Sequence, residues 1–179
     1  MILVEAVGVG QSEITVRSMV DFFLLVALTG AGDELQGMKK GVMEIADAIL
    51  INKADGDNRQ KAEMVRVDYE RMIHYLRPAT EGWLTRACTC SAYSGYGIDA
   101  VWDMIDEFCS KTKASKVFSR RRQKQTLDWV YALVEEHLRA VFYQNEQVKS
   151  CRPKLEQEIL AGRMPATLAA QQLIAAFEQ

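Results

Sequence analysis

The sequence predicts an α/β fold with a mostly parallel sheet covered by helices on both faces, followed by an all-α C-terminal extension. Up to about residue 114, short apolar runs alternate with amphipathic helical patterns, which is typical of a doubly wound sheet. From about residue 115 onward, the only periodicity is helical. We therefore divide the chain into a partial α/β domain, residues 1–114, and a helical segment, residues 115–179.

Four apolar runs are predicted strands, with helices between them. The first three runs are continuous rather than alternating, which is expected of parallel strands buried on both faces. Ser12 is suited to cap the first helix, and the later helices carry apolar residues at helical spacing. The predicted strands are 1–4, 22–28, 48–51 and 84–90, and the predicted helices are 12–20, 38–47, 60–76 and 98–110.

The sequence of the C-terminal segment predicts three more helices. Residues 125–144 carry a clear apolar stripe. Pro153 is a suitable first residue for a second helix, which continues through Leu160 until Gly162 breaks it. Pro165 is suited to start a last helix that ends at Phe177.

The composition is that of an ordinary globular protein. Of 179 residues, 49% are hydrophobic and 26% charged, and the net charge of −2 gives no basic field for nucleic acid. The longest apolar run, 22–28, is too short to span a membrane. The first residues lack the basic region and cleavage site of a signal peptide.

The four cysteines predict free thiols. Cys88, Cys90, Cys109 and Cys151 include no Cys-x-x-Cys pair, and neither histidine is near Cys88 or Cys90 in sequence, so the spacing does not favour zinc. Buried or partly buried thiols in a reducing cytosol are the favoured interpretation, which predicts a cytoplasmic protein.

The motif that carries most information is Asn52-Lys53-Ala54-Asp55, directly after the apolar run 48–51. Guanine presents its N1–H and its 2-amino group side by side, and one carboxylate can accept from both. Adenine has no such donor pair, so Asp55 would select guanine. Asn52 would bridge the base and neighbouring loops, and the stem of Lys53 would cover the ring. The alternative interpretation is a polar turn, because the following residues are turn formers.

Two further motifs are consistent with a nucleotide site. Ser91-Ala92 follows the next predicted strand, where a backbone N–H could meet the guanine carbonyl. Glu5 stands at the tip of the first predicted strand, ahead of a glycine-rich loop, and suits a water-mediated magnesium contact. Gly8 has no Cβ, so its N–H could approach a γ-phosphate closely. A plain strand–helix loop explains Glu5 and Gly8 equally well.

A second glycine-rich loop, 30–41, carries charges of both signs between a strand and a helix. It lies at the edge of the sheet where α/β proteins bind ligands, so it could be a mobile switch. The alternative is a solvated helix start. The same choice applies to the basic run 120–122, which could meet phosphate or an acidic partner but is more typical of a solvated helix face. The candidate switch residues are Asp33, Glu34, Gln36, Lys39 and Lys40.

Together these motifs resemble the methylmalonyl-CoA mutase-associated GTPases of the MeaB/ArgK group, once called LAO/AO transport system ATPases or kinases. The resemblance rests on 4–13, where Ala6 replaces the usual Thr, on 32–41, on 44–47 and on 52–58. Further matches continue through Trp83, Ser91 and Gly97 to the start of the helical tail, so that essentially the whole chain is covered.

The resemblance implies a partial P-loop NTPase fold with GTP or GDP and Mg²⁺ as ligands. It assigns Glu5 and Gly8 to the magnesium and γ-phosphate switch, and the 32–41 loop to contact with the mutase. It assigns Asn52, Lys53, Asp55, Ser91 and Ala92 to guanine. It also implies homodimerisation through the helical segment, and a chaperone role in which GTP hydrolysis gates adenosylcobalamin delivery to the mutase and protects that enzyme.

The chain departs from the family pattern in one major respect. No Gly-x-x-x-x-Gly-Lys-Ser/Thr occurs in it, and it aligns only with about the C-terminal half of the family. Val9 replaces the water-orienting Gln of many GTPases, for which Gln11 is a weak substitute. We therefore expect a partial product with reduced stability, a tendency to associate through the edge strand 1–4, and weak GTP hydrolysis by this chain alone.

Two other functions remain open from the sequence. One is a non-catalytic dimerising module that binds a partner without nucleotide. The other is an ATPase or kinase linked to transport of lysine, arginine and ornithine, against which Asp55 argues because ATP lacks the paired donors.

Overall fold

The computed structural model of the chain describes residues 1–6, 12–29 and 40–178. Contacts between Cα atoms divide the chain into two compact units, Met1–Gln125 and Thr126–Gln179. The division of the chain into a partial α/β domain, 1–114, and a helical dimerisation segment, 115–179, stays a prediction.

A parallel sheet forms the centre of the first unit. Within the described residues its strands are β1 (Leu24–Leu28), β2 (Ala48–Asn52) and β3 (Arg86–Thr89), in the order β1-β2-β3. Both pairings are parallel, with Leu24 and Arg86 on either side of Ala48. The prediction of an α/β fold with a parallel sheet is therefore confirmed.

The central strand β2 is buried on both faces, which explains its continuous apolar sequence. Successive side chains of a strand point to opposite faces. Ile49 and Ile51 pack in one apolar cluster with Phe23 and Tyr69, whereas Ala48 packs in another with Trp83, Met104 and Phe108. Both faces of the sheet therefore carry a core.

Helices supply the rest of both units. In the first unit they are α1 (Ser12–Met19), α2 (Lys40–Glu44), α3 (Arg59–Ile73) and α4 (Ile98–Ala114), with a short 3₁₀ turn at Gly56–Asn58. After them come α5 (Val117–Gln144), α6 (Glu146–Leu160) and α7 (Ala166–Phe177). In the described part of the chain, no helix is both long enough and apolar enough to cross a bilayer.

The start of α6 differs from the prediction. This helix begins at Glu146, well before Pro153, which lies inside it. The side chain of Asn145 caps the helix, because its Oδ1 accepts from the N–H groups of Gln147 at 2.9 Å and Val148 at 3.2 Å. The last helix agrees with expectation, since Pro165 immediately precedes Ala166.

The predicted strand at residues 1–4 is wrong. Residues 1–6 have no secondary structure, and the side chains of Ile2 and Leu3 are 91% and 81% exposed. An apolar run becomes a strand only where a neighbour supplies hydrogen-bond partners. In the described residues, β1 pairs with β2 alone and no strand pairs with residues 1–4. The edge-strand association predicted for residues 1–4 therefore has no strand to support it.

A buried ion cluster lies before β2, at the end of the sheet opposite to Asn52. Its members, Asp47, Arg17, Thr80 and Arg121, are named here the Asp47 cluster. Asp47 is completely buried; its Oδ2 lies 2.7 Å from Arg17 Nη1 and accepts from the N–H of Phe23 at 2.9 Å. Arg121 Nη1 lies 3.7 Å from the same oxygen. Burial, with repulsion from Arg17, lowers the pKa of Arg121. Two cations thus compensate one buried carboxylate.

The basic run at the start of α5 contacts its own chain. Arg120 pairs with Glu81 at 2.8 Å, Arg122 pairs with Asp21 at 2.6 Å, and Arg121 belongs to the Asp47 cluster. Arg120 and Arg122 are each 61% exposed, which agrees with a solvated helix face, whereas Arg121 is largely buried. All three arginines hold the first turns of α5 within the first unit.

Candidate functional site

The carboxyl ends of β2 and β3 bring the predicted base-recognition residues together. Asn52 is the last residue of β2, and Ser91 follows β3 by two positions. The N–H of Ala54 donates to the carbonyl oxygen of Cys90 at 2.8 Å, so the two loops are joined directly. Because parallel strands present their carboxyl ends at one edge, this edge is where ligands bind in open α/β sheets.

Asn52 bridges the two loops through one oxygen. Its Oδ1 accepts from the backbone N–H of Lys53 at 2.7 Å and from that of Ala92 at 3.1 Å, and the Cys90 thiol lies 3.5 Å away. The first of these bonds supports Lys53 in the left-handed region, at φ 63°, which is uncommon for a side chain with a Cβ. The predicted bridging role of Asn52 therefore has a geometric basis, whereas the Ala92 N–H is already engaged by Asn52.

Asp55 is oriented by Ser91. The Ser91 hydroxyl donates to Asp55 Oδ2 at 2.5 Å, and Ser91 itself is fully buried. Elsewhere in the described residues, nothing donates to the other oxygen of Asp55, Oδ1. An ionised carboxylate has about four lone-pair positions, so Asp55 keeps capacity for two more donors on a half-buried edge.

The loop after β3 is fixed around Ser91. The N–H of Ser91 donates to the carbonyl oxygen of Tyr96, and the N–H of Gly95 donates to the carbonyl oxygen of Ser91, both at 2.9 Å. The N–H of Ser94 donates to the Ser91 hydroxyl oxygen at 3.2 Å. The side chain that directs Asp55 is therefore held in place before any ligand arrives.

Gly97 is required by this loop for two reasons. Its φ of +75° lies in the left-handed region, and a Cβ there would stand 2.4 Å from the carbonyl oxygen of Thr89, the last residue of β3. Gly95 has a similar φ of +79°, but a Cβ on it would meet nothing within 4 Å. Alanine substitutions at Gly95 and Gly97 therefore distinguish the cost of backbone strain from the cost of a steric clash.

We expect Gly97→Ala to destabilise the first unit far more than Gly95→Ala. The Gly95 substitution carries only the left-handed penalty of about 1–2 kcal/mol, whereas the Gly97 substitution also forces β3 and the loop apart. Urea unfolding of both variants measures the difference. Equal losses of unfolding free energy would show that the close approach to Thr89 does not matter.

The structure describes little of the environment of the remaining predicted site residues. Glu5 lies on the exposed segment 1–6, and Lys40 is the first residue of α2. The other candidate switch residues lie outside the described residues: Gly8, Asp33, Glu34, Gln36 and Lys39.

A magnesium site is not formed by the residues that the structure describes. Over 1–6, 12–29 and 40–178, no group of three or more His, Cys, Asp or Glu side chains is placed to hold a metal ion. Glu5 supplies a single carboxylate, and such a ligand holds Mg²⁺ only together with water and substrate phosphates. Its magnesium role stays a prediction.

The cysteines are free, as predicted. Cys90 is buried and the other three are partly buried. Burial raises the pKa of Cys88 to about 11 and raises that of Cys90 above its usual value. Because the thiolate is the form that binds metals and attacks electrophiles, these thiols are inert at neutral pH.

Some contacts at the site were not predicted from the sequence. Arg59 lies over the ring of Tyr96, with its guanidinium carbon 4.5 Å from the ring centroid. The Asn58 amide donates to the carbonyl oxygen of Lys53 at 2.6 Å and to the hydroxyl of Thr29. The only sequence signal for either contact is the position of these residues next to the recognised motifs.

Comparison with known proteins identifies relatives of this chain. A family profile described as methylmalonyl Co-A mutase-associated GTPase MeaB matches residues 1–147. A putative GTPase of Caulobacter vibrioides is 41% identical over 177 residues, covering 99% of this chain and 54% of the relative. The Escherichia coli GTPase ArgK is 43% identical over 146 residues, covering 82% of this chain and 44% of the relative.

A eukaryotic protein and a solved structure are also similar. The mouse methylmalonic aciduria type A homolog, mitochondrial, is 37% identical over 178 residues, covering 99% of this chain and 43% of the relative. The crystal structure of an LAO/AO transport system kinase aligns with a TM-score of 0.77 and 34% identity, covering 97% of this chain and 56% of that one. The chain spans about half the length of the curated relatives it matches. By its sequence and its fold, the chain belongs to the MeaB family of methylmalonyl Co-A mutase-associated GTPases.

Proposed function

We propose that this chain recognises the guanine base of GTP or GDP, as the base-binding part of a MeaB-type GTPase. The observation that carries the proposal is the Asp55 carboxylate, which the buried Ser91 hydroxyl orients from one side while no described residue donates to its Oδ1. Guanine offers the N1–H and the 2-amino group that such a carboxylate accepts. Asn52 and Ala92 hold the two loops together around it, and the exposed Lys53 stands beside them.

GTP hydrolysis is part of the proposal at the level of the family. Relatives of this chain are named GTPases, but this chain spans about half of their length. Hydrolysis depends on holding and neutralising the phosphates, and the sequence contains no phosphate-binding Gly-x-x-x-x-Gly-Lys-Ser/Thr. We therefore propose that this chain recognises the guanine base, and that it hydrolyses GTP weakly when alone.

We further propose that the partner is an adenosylcobalamin-dependent methylmalonyl-CoA mutase. The name of the matched family supports this partner. In the proposal the chain acts in the cytoplasm as a chaperone for cofactor delivery and protection of the mutase. The loop containing Asp33, Glu34, Gln36, Lys39 and Lys40 would contact the mutase.

Homodimerisation through the helical segment is a separate part of the proposal. Its support is an apolar stripe along one face of α5, where Leu127, Tyr131 and Leu138 are 57%, 65% and 59% exposed. Apolar exposure on this scale along one helix is typical of an interaction surface. A second chain of the same kind would cover it.

A transport-linked kinase is the second candidate, favoured only by the name of the protein in the similar crystal structure. ATP presents an acceptor at N1 and no amino group at C2, so adenine would leave the Asp55 carboxylate without donors. Unmet hydrogen-bonding capacity in a binding site is how polar sites reject analogues. The chemistry of Asp55 therefore favours guanine.

Titration with GDP and ADP tests the proposed base recognition. We expect this chain to bind GDP at least about 10- to 100-fold more tightly than ADP, because the loss of even one of the two hydrogen bonds to the charged carboxylate has an effect of this size. Ligand-observed NMR measures both affinities, because it detects weak binding. Equal affinities for GDP and ADP would contradict guanine recognition and favour the non-catalytic dimerising module.

A further inference from the structure

The two loops of the candidate guanine site are joined a second time, away from the base-contacting atoms. Arg59 is the first residue of α3, directly after the 3₁₀ turn that follows Asp55. Its guanidinium lies over the ring of Tyr96, which belongs to the loop after β3. A cation over an aromatic ring is an attractive contact even when both groups are partly exposed.

Arg59 also interacts with its own helix. A cation in the first turn of a helix faces the positive end of the helix dipole, which is unfavourable. Glu63, one turn further along α3, partly offsets this cost, because Arg66 and, to a smaller degree, Arg59 lower the pKa of the Glu63 carboxyl. The contact with Tyr96 is a second favourable interaction of Arg59, and it reaches outside the helix.

Tyr96 is linked to the base-reading carboxylate by a short chain of bonds. Its carbonyl oxygen accepts from the N–H of Ser91 at 2.9 Å, and the hydroxyl of Ser91 donates to Asp55 at 2.5 Å. A displacement of Tyr96 would be passed to Ser91 and then to Asp55.

We propose that Arg59 and Tyr96 act as a pair of positioning residues that keeps Asp55 aligned with the guanine edge. The inference rests on the proposed guanine recognition and adds to it two residues that touch no atom of the base. Arg59 and Tyr96 would control how strongly the site prefers guanine over hypoxanthine, a base that lacks only the 2-amino group. That discrimination depends directly on the alignment of Asp55.

Binding of GDP and IDP to the full chain tests the pair. We expect Arg59→Ala and Tyr96→Ala each to lower the ratio of GDP affinity to IDP affinity about two- to fivefold, the range expected for loss of an exposed cation–aromatic contact. The double variant should be no worse than either single variant, because both remove the same contact. Tyr96→Phe keeps the ring face and should keep most of the discrimination.

The control is Arg71→Ala, an exposed arginine near the other end of α3, which should leave the ratio unchanged. Circular dichroism and urea unfolding establish that each variant is folded. If the wild-type chain prefers GDP over ADP but Arg59→Ala leaves the GDP-to-IDP ratio unchanged, the positioning role is wrong and guanine recognition stands. Additive effects in the double variant would also overturn it. If the wild-type chain shows no preference for GDP over ADP, guanine recognition and the positioning role fail together.

Discussion

Replacing Asp55 by asparagine is expected to move the base preference of the site from guanine to xanthine. Xanthine carries a carbonyl at C2 where guanine carries an amino group. The asparagine amide would donate to that carbonyl and accept from the N1–H, whereas it would face the guanine amino group with a like donor. We expect GDP affinity to fall about 100-fold, because hydrogen bonds to a charged group contribute about 1.5–3 kcal/mol each. XDP affinity should rise in the same titrations.

The matched control is Asp57→Asn, the same substitution two residues along the chain. Asp57 is exposed in the 3₁₀ turn, and the Ser91 hydroxyl donates to Asp55 instead. This variant should keep the preference for GDP over XDP. A folded Asp55→Asn chain that still prefers GDP would show that another group reads the base.

Replacing Arg17 by methionine is expected to give the largest loss of stability. Arg17 contributes the close ion pair of the Asp47 cluster, at 2.7 Å from a carboxylate that has no solvent contact. Its removal leaves Asp47 with Arg121 at 3.7 Å as its remaining described cation. Breaking one partner from a buried pair lowers the unfolding free energy by about 3–5 kcal/mol. For a unit of this size we expect the melting temperature to fall by roughly 10–20 °C.

Arg71→Met provides the comparison for this loss. Arg71 is 76% exposed and its pair with Asp68 is 3.6 Å long. Exposed ion pairs contribute about 0–1 kcal/mol, so this variant should melt within a few degrees of the wild type. Similar melting temperatures for the two variants would mean that the Asp47 cluster does not stabilise the fold.

The central strand and the meeting of Asn52, Asp55 and Ser91 at one edge of the sheet were predictable because their sequence signals are local. The continuous apolar run before Asn52 is long enough to indicate a buried strand, and the polar motif follows it without a gap. A parallel partner then brings Ser91 to the same edge of the sheet. No long-range information was needed for this step.

The errors arose where the outcome depends on distant residues. The run 1–4 resembles a strand, but strand formation requires a neighbour that its own sequence cannot reveal. The burial of Arg121 was missed because its carboxylate partner, Asp47, is far away in the chain. At α6, the capping amide of Asn145 determined the start of the helix, and Pro153 did not.

The length of β2 separates the Asp47 cluster from the residues proposed to recognise the base. Asp47 precedes the strand and Asn52 ends it, so five rises of about 3.3 Å each separate the two residues. Sites more than about 7–10 Å apart usually respond to substitutions independently. An engineer could therefore rebuild the ionic end for heat resistance, for example with well-packed apolar residues, and leave the choice of purine untouched.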